Sequence, residues 1–253
     1  MQQTSTILVR LFSILNDVGL QCLLIGGQAC VIYGAKTSTV DLDITILSTN
    51  INLAKLKNAL EVLEAKPSLA SVPLDAALLT RGHSLHYYCG KSGFDNIRFD
   101  ILGTLPRLQA FSNIWQRRFD FVSDSGVTIP VLSVPDLILS KKTGRIKDTA
   151  DITALVNAHF VMNHLEPDEN DIRLWLTEAR EVDVLQMFAE KFPSEARKLA
   201  KERPLLKHVI SGDIAALKVA LIEEASNEAT AHEAFRGPLR AEARELARKR
   251  RRK

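Results

Sequence analysis

The stretch from Leu23 to Ile46, LLIGGQACVIYGAKTSTVDLDITI, decides the fold of the N-terminal part of the chain. An apolar run ends at Gly26-Gly27, a short segment follows, and Asp41 and Asp43 then interrupt a β-branched run. Side chains in a strand alternate between the faces of a sheet, so these two carboxylates share a face. Two adjacent like charges are costly to bury without a cation, and Mg²⁺ is the simplest cation for oxygen ligands. The stretch therefore predicts a strand that carries a divalent-cation site.

This combination of a glycine doublet, a short helix and Asp-x-Asp resembles the signature of the nucleotidyltransferase superfamily, which has the DNA polymerase β-like fold. The closest resemblance is to AbiEii/AbiGii-type toxins and minimal nucleotidyltransferases, in which Tyr-Gly and Thr precede the carboxylates as Tyr33-Gly34 and Thr39 do here. A second match to that group, VPDLILSKKTGRIKDTADI, lies at residues 134–152. The resemblance covers roughly residues 1–160 and leaves the remainder of the chain unassigned.

The resemblance implies an enzyme that moves a nucleoside monophosphate from an NTP to a hydroxyl and releases pyrophosphate. It implies that Asp41 and Asp43 hold two Mg²⁺ ions, with Mn²⁺ as an alternative. A third catalytic and metal-binding carboxylate is expected on a later strand, and Asp100 in IRFDILG is the candidate because it shares the more polar face of that strand. Asp95 and Asp120 are the competing candidates.

Nucleotide phosphates are expected to bind to a set of backbone amides, a hydroxyl and two cations: Gly26, Gly27, Gln28, Thr39, Lys141 and Arg145. The glycines let the backbone approach a phosphate closely, and at Gln28 the backbone amide is the expected contact. By resemblance Lys141 is the best match among the cations, although a solvated helix end stays an open alternative. Asp148 and Asp151 are expected to pair with Arg145 or Lys147 rather than to bind metal.

Composition predicts an ordinary protein of one or two globular domains. The chain has 253 residues, of which 46% are hydrophobic and 25% charged. No apolar run approaches the ~20 residues of a membrane span, and the N-terminal sequence lacks the pattern of a secretory leader. Cys22, Cys30 and Cys89 lack metal-ligand spacing and are expected to be buried, reduced thiols. These features predict a cytoplasmic protein with no membrane partner.

The positive charge is concentrated at the C-terminus. Residues 236–253 contain nine Lys or Arg and two Glu, a net +7, whereas the other 235 residues carry 24 basic and 28 acidic side chains, a net −4. Such a basic segment fits either an arm for an anionic partner such as RNA or a solvated tail. The family resemblance implies a toxin that has an antitoxin as its partner and a tRNA-like RNA or a protein as its acceptor. The basic C-terminal segment fits the RNA acceptor.

The pattern of elements predicts an α/β (α+β) fold with a mixed sheet in a nucleotidyltransferase domain over 1–160 and a helical domain over 161–253. Within the helical domain, Gly237-Pro238 is predicted to break a helix over 213–235 from a last helix over 239–248. Two other functions stay open. One is a small-molecule nucleotidyltransferase of the antibiotic-modifying kind, and the other is a non-catalytic binding protein that keeps the fold.

Overall fold

The computed structural model describes residues 6–36, 39–69, 71–94 and 97–251. The chain divides into two compact units, and the first unit combines Met1–Ser140 with Phe235–Lys253. The second unit is Lys141–Ala234. The division therefore falls at residue 140 rather than at the predicted 160, and the last residues of the chain belong to the first unit.

A mixed seven-stranded sheet forms the centre of the first unit, as predicted. Its strands are β1 (Cys22–Ile25), β2 (Leu42–Ile46), β3 (Lys66–Pro67), β4 (Ser84–Tyr88), β5 (Arg98–Leu102), β6 (Phe119–Val122) and β7 (Thr128–Val131). Their order across the sheet is β3-β4-β5-β2-β1-β7-β6. β2 runs parallel to β5 and antiparallel to β1, and β1 runs parallel to β7. β2 is therefore an interior strand, bounded by β5 on one side and β1 on the other.

Between residues 6 and 140, the described part of the first unit contains six helices: α1 (Thr6–Asp17), α2 (Gly26–Ile32), α3 (Asn50–Val62), α4 (Ala76–Thr80), α5 (Phe111–Gln116) and α6 (Val134–Ser140). Asn52 of α3 is buried, accepts from the Gln21 amide at 2.9 Å and donates to the Gln21 and Leu47 carbonyls. Since Gln21 precedes β1 and Leu47 follows β2, this one side chain ties together the ends of the strand pair that carries the site.

The second unit is helical, with α7 (Ile146–Asn163), α8 (Glu169–Glu178), α9 (Val182–Lys191), α10 (Pro193–Leu199) and α11 (Leu206–Ser211). Its core contains Trp175, which is fully buried and packs against Phe160, Phe188 and Phe192 with ring centroids 4.9, 5.8 and 5.8 Å away. Phe160 lies on α7, Trp175 on α8 and Phe188 on α9, so aromatic packing joins these three helices. None of the helices that the structure describes combines the length and the apolar character needed to cross a membrane.

The predicted break at Gly237-Pro238 is wrong, because α12 runs without interruption over Ile214–Arg251. Pro238 cannot donate the helical hydrogen bond to the carbonyl four residues earlier. Contacts on the first unit compensate: a β-carbon on Gly82 would lie 2.7 Å from Phe235 and 3.1 Å from Leu239, so both side chains pack directly on that glycine. Tertiary packing here outweighs the local preference against proline.

The three cysteines are buried, reduced thiols, as their sparse and irregular spacing predicted. Burial raises the pKa of the Cys22 thiol to about 12 and that of the Cys89 thiol to about 11. Both therefore stay protonated at neutral pH and act as small apolar core residues.

Candidate active site

Asp43 and Asp100 lie side by side on neighbouring strands. The parallel register of β2 and β5 pairs the Cα of Asp43 with that of Asp100. Register partners on adjacent strands lie about 4.8 Å apart and project from the same face of the sheet. The structure thus brings together two of the three carboxylates that the sequence pattern selected.

Asp41 lies just before β2 and is exposed. The pKa of the Arg98 guanidinium is raised first by its hydrogen bond to Asp100 and also, more weakly, by the negative charge of Asp41. Asp41 therefore lies near the same cation as Asp100. Asp41 precedes the end of β2 at which Asp43 is the register partner of Asp100, and these three residues are called the carboxylate cluster below.

The turn from β1 into α2 is shaped by the Asp43 side chain. Gly26 has a φ of +68°, which favours glycine, and a β-carbon at this position would collide with the Asp43 carboxylate. A β-carbon on Gly27 would lie 2.9 Å from the Thr39 side chain. The glycine doublet is therefore required because the strand and the segment before it pack directly against this turn.

Gln28 fixes the segment that leads into β2. Its side chain is buried, and its Nε2 donates to the Thr39 carbonyl at 2.7 Å. From the sequence only the backbone amide of Gln28 was expected to make a contact, so the hydrogen bond of its side chain to Thr39 was missed. Residues 37–38, immediately before Thr39, lie outside the part of the chain that the structure describes.

Asp100 is held by two partners that the sequence analysis did not identify. His86 Nδ1 lies 2.8 Å from Asp100 Oδ1, and Arg98 donates to Oδ1 at 2.9 Å and approaches Oδ2 at 2.8 Å. Burial alone would raise the pKa of Asp100, but the hydrogen bonds from His86 and Arg98 outweigh it and hold the pKa below its ordinary value. Asp100 is therefore ionised at neutral pH.

The contact between Arg98 and Asp100 could have been predicted from the sequence, but that between His86 and Asp100 could not. Arg98 and Asp100 are two residues apart in one strand and so share a face. His86 is the register partner of Asp100 across the antiparallel β4–β5 pair. That pairing requires β4 and β5 to be neighbours in the sheet, and this strand order cannot be read from the sequence.

The donor chemistry of the cluster suits a hard divalent cation, because carboxylate oxygens are the ligands that Mg²⁺ and Mn²⁺ prefer. Within the described ranges, however, no three His, Cys, Asp or Glu side chains are already grouped as a metal site. Both oxygens of Asp100 face Arg98 or His86. A bound cation and the Arg98 guanidinium would thus compete for the same oxygen atoms.

The two competitors for the third carboxylate lie elsewhere. Asp120 is on β6, four positions from β5 in the sheet, and pairs with Arg118 at 2.8 Å. Asp95 lies outside the described residues. Asp100 is the alternative that the strand register places beside Asp43.

The predicted phosphate-binding cations lie in the second unit. Lys141 is buried, and its Nζ donates to Asp151 at 2.6 Å. Arg145 lies 2.6 Å from Asp148, which also accepts from the Thr143 hydroxyl. These contacts order the start of α7, and for Arg145 they match the expected pairing with Asp148. Phosphate binding by Lys141 and Arg145 stays a prediction.

Comparisons with known proteins give a structural likeness without a sequence match. No protein-family model matches the chain, and no curated protein matches it. Among solved structures, the chain is similar to a "putative nucleotidyltransferase from H. pylori", with a TM-score of 0.36 and 14% identity over 91% of this chain and 94% of that one. A TM-score of this size carries no argument about function, so the interpretation of the site depends on its geometry.

Replacing Gly26 by alanine is expected to destabilise the protein more than the same change at Gly34. Both glycines have positive φ, +68° and +73°, but a β-carbon on Gly34 would meet nothing within 4 Å. Gly34→Ala should therefore cost only the left-handed backbone penalty of about 1–2 kcal/mol. Gly26→Ala should cost roughly a further 1–3 kcal/mol because it displaces Asp43. Urea denaturation measures both, and equal losses would contradict the close packing of Gly26 on Asp43.

Removing the Arg98 cation is expected to change how stability depends on pH. The depressed pKa of Asp100 means that its contribution to stability is present above the unfolded-state pKa, about 4, and is lost as pH falls through the folded-state value. Arg98→Gln raises the folded-state pKa. The stability difference between wild type and variant should therefore be largest near pH 7 and shrink below about pH 4.

Urea denaturation over this pH range makes the measurement, with Lys57→Gln as the control, because Lys57 is an exposed cation on α3. A difference between wild type and Arg98→Gln that does not vary with pH would show that the guanidinium does not control the ionisation of Asp100.

Proposed function

We propose that the chain is a metal-dependent nucleotidyltransferase that moves a nucleoside monophosphate from an NTP to a hydroxyl of an RNA or protein acceptor and releases pyrophosphate. The observation that carries the proposal is the register of Asp43 beside Asp100, with the exposed Asp41 two residues upstream of Asp43. Three carboxylates near one end of two interior strands repel one another and destabilise the fold unless positive charge compensates for them. They are suited to holding the cations that accompany a nucleoside triphosphate.

Asp41, Asp43 and Asp100 would hold the Mg²⁺ or Mn²⁺ ions, which would neutralise the triphosphate and activate the attacking hydroxyl. A general base works best when its pKa is near the working pH. The low pKa of Asp100 makes it a weak base, so we assign it as a metal ligand rather than as the proton acceptor.

Phosphate positioning would come from both sides of the carboxylates. The backbone amides of Gly26 and Gly27 are proposed to donate to phosphate, and Arg98, whose side chain is 44% exposed, offers a guanidinium whose planar fork matches phosphate oxygens. Arg98 would contact phosphate once a cation replaces it on Asp100. Lys141 and Arg145 complete the predicted set of phosphate ligands. Catalysis would then consist of in-line positioning and charge neutralisation.

The proposed biological setting is a bacterial cytoplasmic toxin of a toxin–antitoxin or phage-defence system, with tRNA as the first acceptor to test. The exposed arginines of α12 support an RNA acceptor, because phosphate contacts give affinity that does not depend on sequence. An antitoxin protein is the proposed partner. One observation favours a second candidate: both oxygens of Asp100 contact the side chains of His86 or Arg98, as they would in a non-catalytic protein that keeps the fold.

The test incubates purified protein with Mg²⁺, total tRNA and each α-³²P-labelled NTP in turn. Label is expected in tRNA. The double variant Asp41→Asn/Asp43→Asn should lower transfer at least about 100-fold, because it removes charge that stabilises the transition state. The matched control is Asp17→Asn/Asp124→Asn, which removes the same charge from exposed positions of the same unit and should retain activity.

The distribution of label separates the candidates. Label on a protein, lost in the Asp41/Asp43 variant, would keep the chemistry and replace the acceptor. Label on neither RNA nor protein, together with no Mg²⁺-dependent NTP binding, would contradict the transferase and favour the non-catalytic candidate.

A further inference from the structure

The first unit contains a cleft of about 290 Å³ between β4 and the part of α12 that begins at Phe235. Two sets of contacts fix this part of the helix against the sheet. Arg236 donates to the Gly82 carbonyl and to the Ser84 hydroxyl, both at 3.1 Å. Glu242 pairs with Arg81 at 2.7 Å and with His83 at 2.9 Å. The cleft is therefore bounded by two firmly connected elements.

The lining of the cleft combines an apolar floor with a cationic rim. Val72, Leu239, Ala243 and Ala247 supply the apolar part. Arginines one helical turn apart on α12 supply the rim. A volume of about 290 Å³ is at the lower end of small-molecule sites and suits a group about as large as one nucleoside.

Arg240 and Arg244 line the cleft and are exposed, and their i, i+4 spacing puts them on one face of α12. Arg248 continues the same face one turn further. Guanidinium groups bind phosphate through two parallel hydrogen bonds and stack on bases. A row of such groups above an apolar floor fits a base in the cleft and a phosphate backbone that leaves it along the helix.

The cleft adjoins the carboxylate cluster through one side chain. His86 lines the cleft, and its Nδ1 also binds Asp100 at 2.8 Å. In the sheet order β4-β5-β2-β1, the cleft borders β4, the carboxylates lie on β5 and β2, and the glycine doublet follows β1. If the NTP phosphates occupy the glycine side, the cleft lies on the opposite side, where an acceptor must approach for in-line attack.

We propose that this cleft binds the terminal nucleoside of a single-stranded RNA. The base lies on the apolar floor, the preceding phosphates contact Arg240 and Arg244, and the terminal ribose faces His86 and Asp100. Presentation of a ribose hydroxyl for reaction depends on the proposed nucleotidyltransferase function, whereas binding of the RNA end does not.

Fluorescence anisotropy with a 5′-labelled single-stranded RNA of about ten nucleotides, without NTP, tests the charged rim. Arg240→Ala/Arg244→Ala should weaken binding at least about 10-fold and reduce the slope of log affinity against log salt by about 1.4, or ~0.7 for each lost phosphate contact. Lys57→Ala/Lys66→Ala removes two exposed cations of the same unit that do not line the cleft and should leave the affinity and slope unchanged.

A second pair of variants tests the floor without changing charge. Ala243→Leu fills the cleft, whereas Ala241→Leu places the same side chain on an exposed position of the same helix that does not line it. The filled variant should weaken RNA binding at least about 10-fold, and the control should bind as wild type. Both keep a strong helix former, so circular dichroism should show equal helix content.

The outcomes separate this inference from the proposed function. RNA binding that depends on the cleft, without any label transfer, would support the cleft and contradict the transferase. Label transfer to RNA that is equally efficient in the Arg240/Arg244 and Ala243 variants would overturn the cleft assignment and leave the transferase intact. RNA affinities that are equal in all variants would also overturn the cleft assignment. So would a protein that does not bind RNA but transfers label to a protein.

Discussion

Electrostatic repulsion between Asp43 and Asp100 is the constraint around which the site is arranged. The parallel register of β2 and β5 fixes these carboxylates next to each other, and Asp41 adds a third negative charge nearby. A fold can keep such a cluster only if positive charge compensates for it. In this structure the Arg98 guanidinium supplies that positive charge at Asp100, and His86 lies within hydrogen-bond distance of the same carboxylate. The Arg98 guanidinium therefore lies against the Asp100 oxygen atoms that a divalent cation would need in the proposed reaction.

The same carboxylates determine the local backbone on the other side of β2. The β1–α2 turn approaches Asp43 so closely that position 26 requires glycine. Asn52 then ties the ends of β1 and β2 together, and Gln28 fixes the entry to β2 through the Thr39 carbonyl. Each of these contacts limits the movement of the strand that carries the acidic pair. The backbone that carries Asp43 is therefore held in one arrangement by its neighbours.

Much of this arrangement could be predicted from local patterns. The alternation of Asp41 and Asp43, the glycine doublet before them and the polar face of Asp100 are short-range features, and the mixed sheet follows from hairpin and crossover spacing. The pairing of His86 with Asp100 could not be predicted, because it requires knowledge that β4 and β5 are neighbours. The continuity of α12 through Pro238 also could not, because it depends on packing against Gly82, far away in sequence.

The proposed reaction depends on Asp100 exchanging the Arg98 guanidinium for a metal ion. A crystal structure with Mn²⁺ and a non-hydrolysable NTP analogue, with the anomalous signal of manganese recorded, tests this exchange directly. We predict manganese bound by Asp41, Asp43 and Asp100, with Arg98 released from Asp100. An ordered nucleotide with no manganese at these carboxylates, and with the Arg98–Asp100 pair intact, would contradict the account.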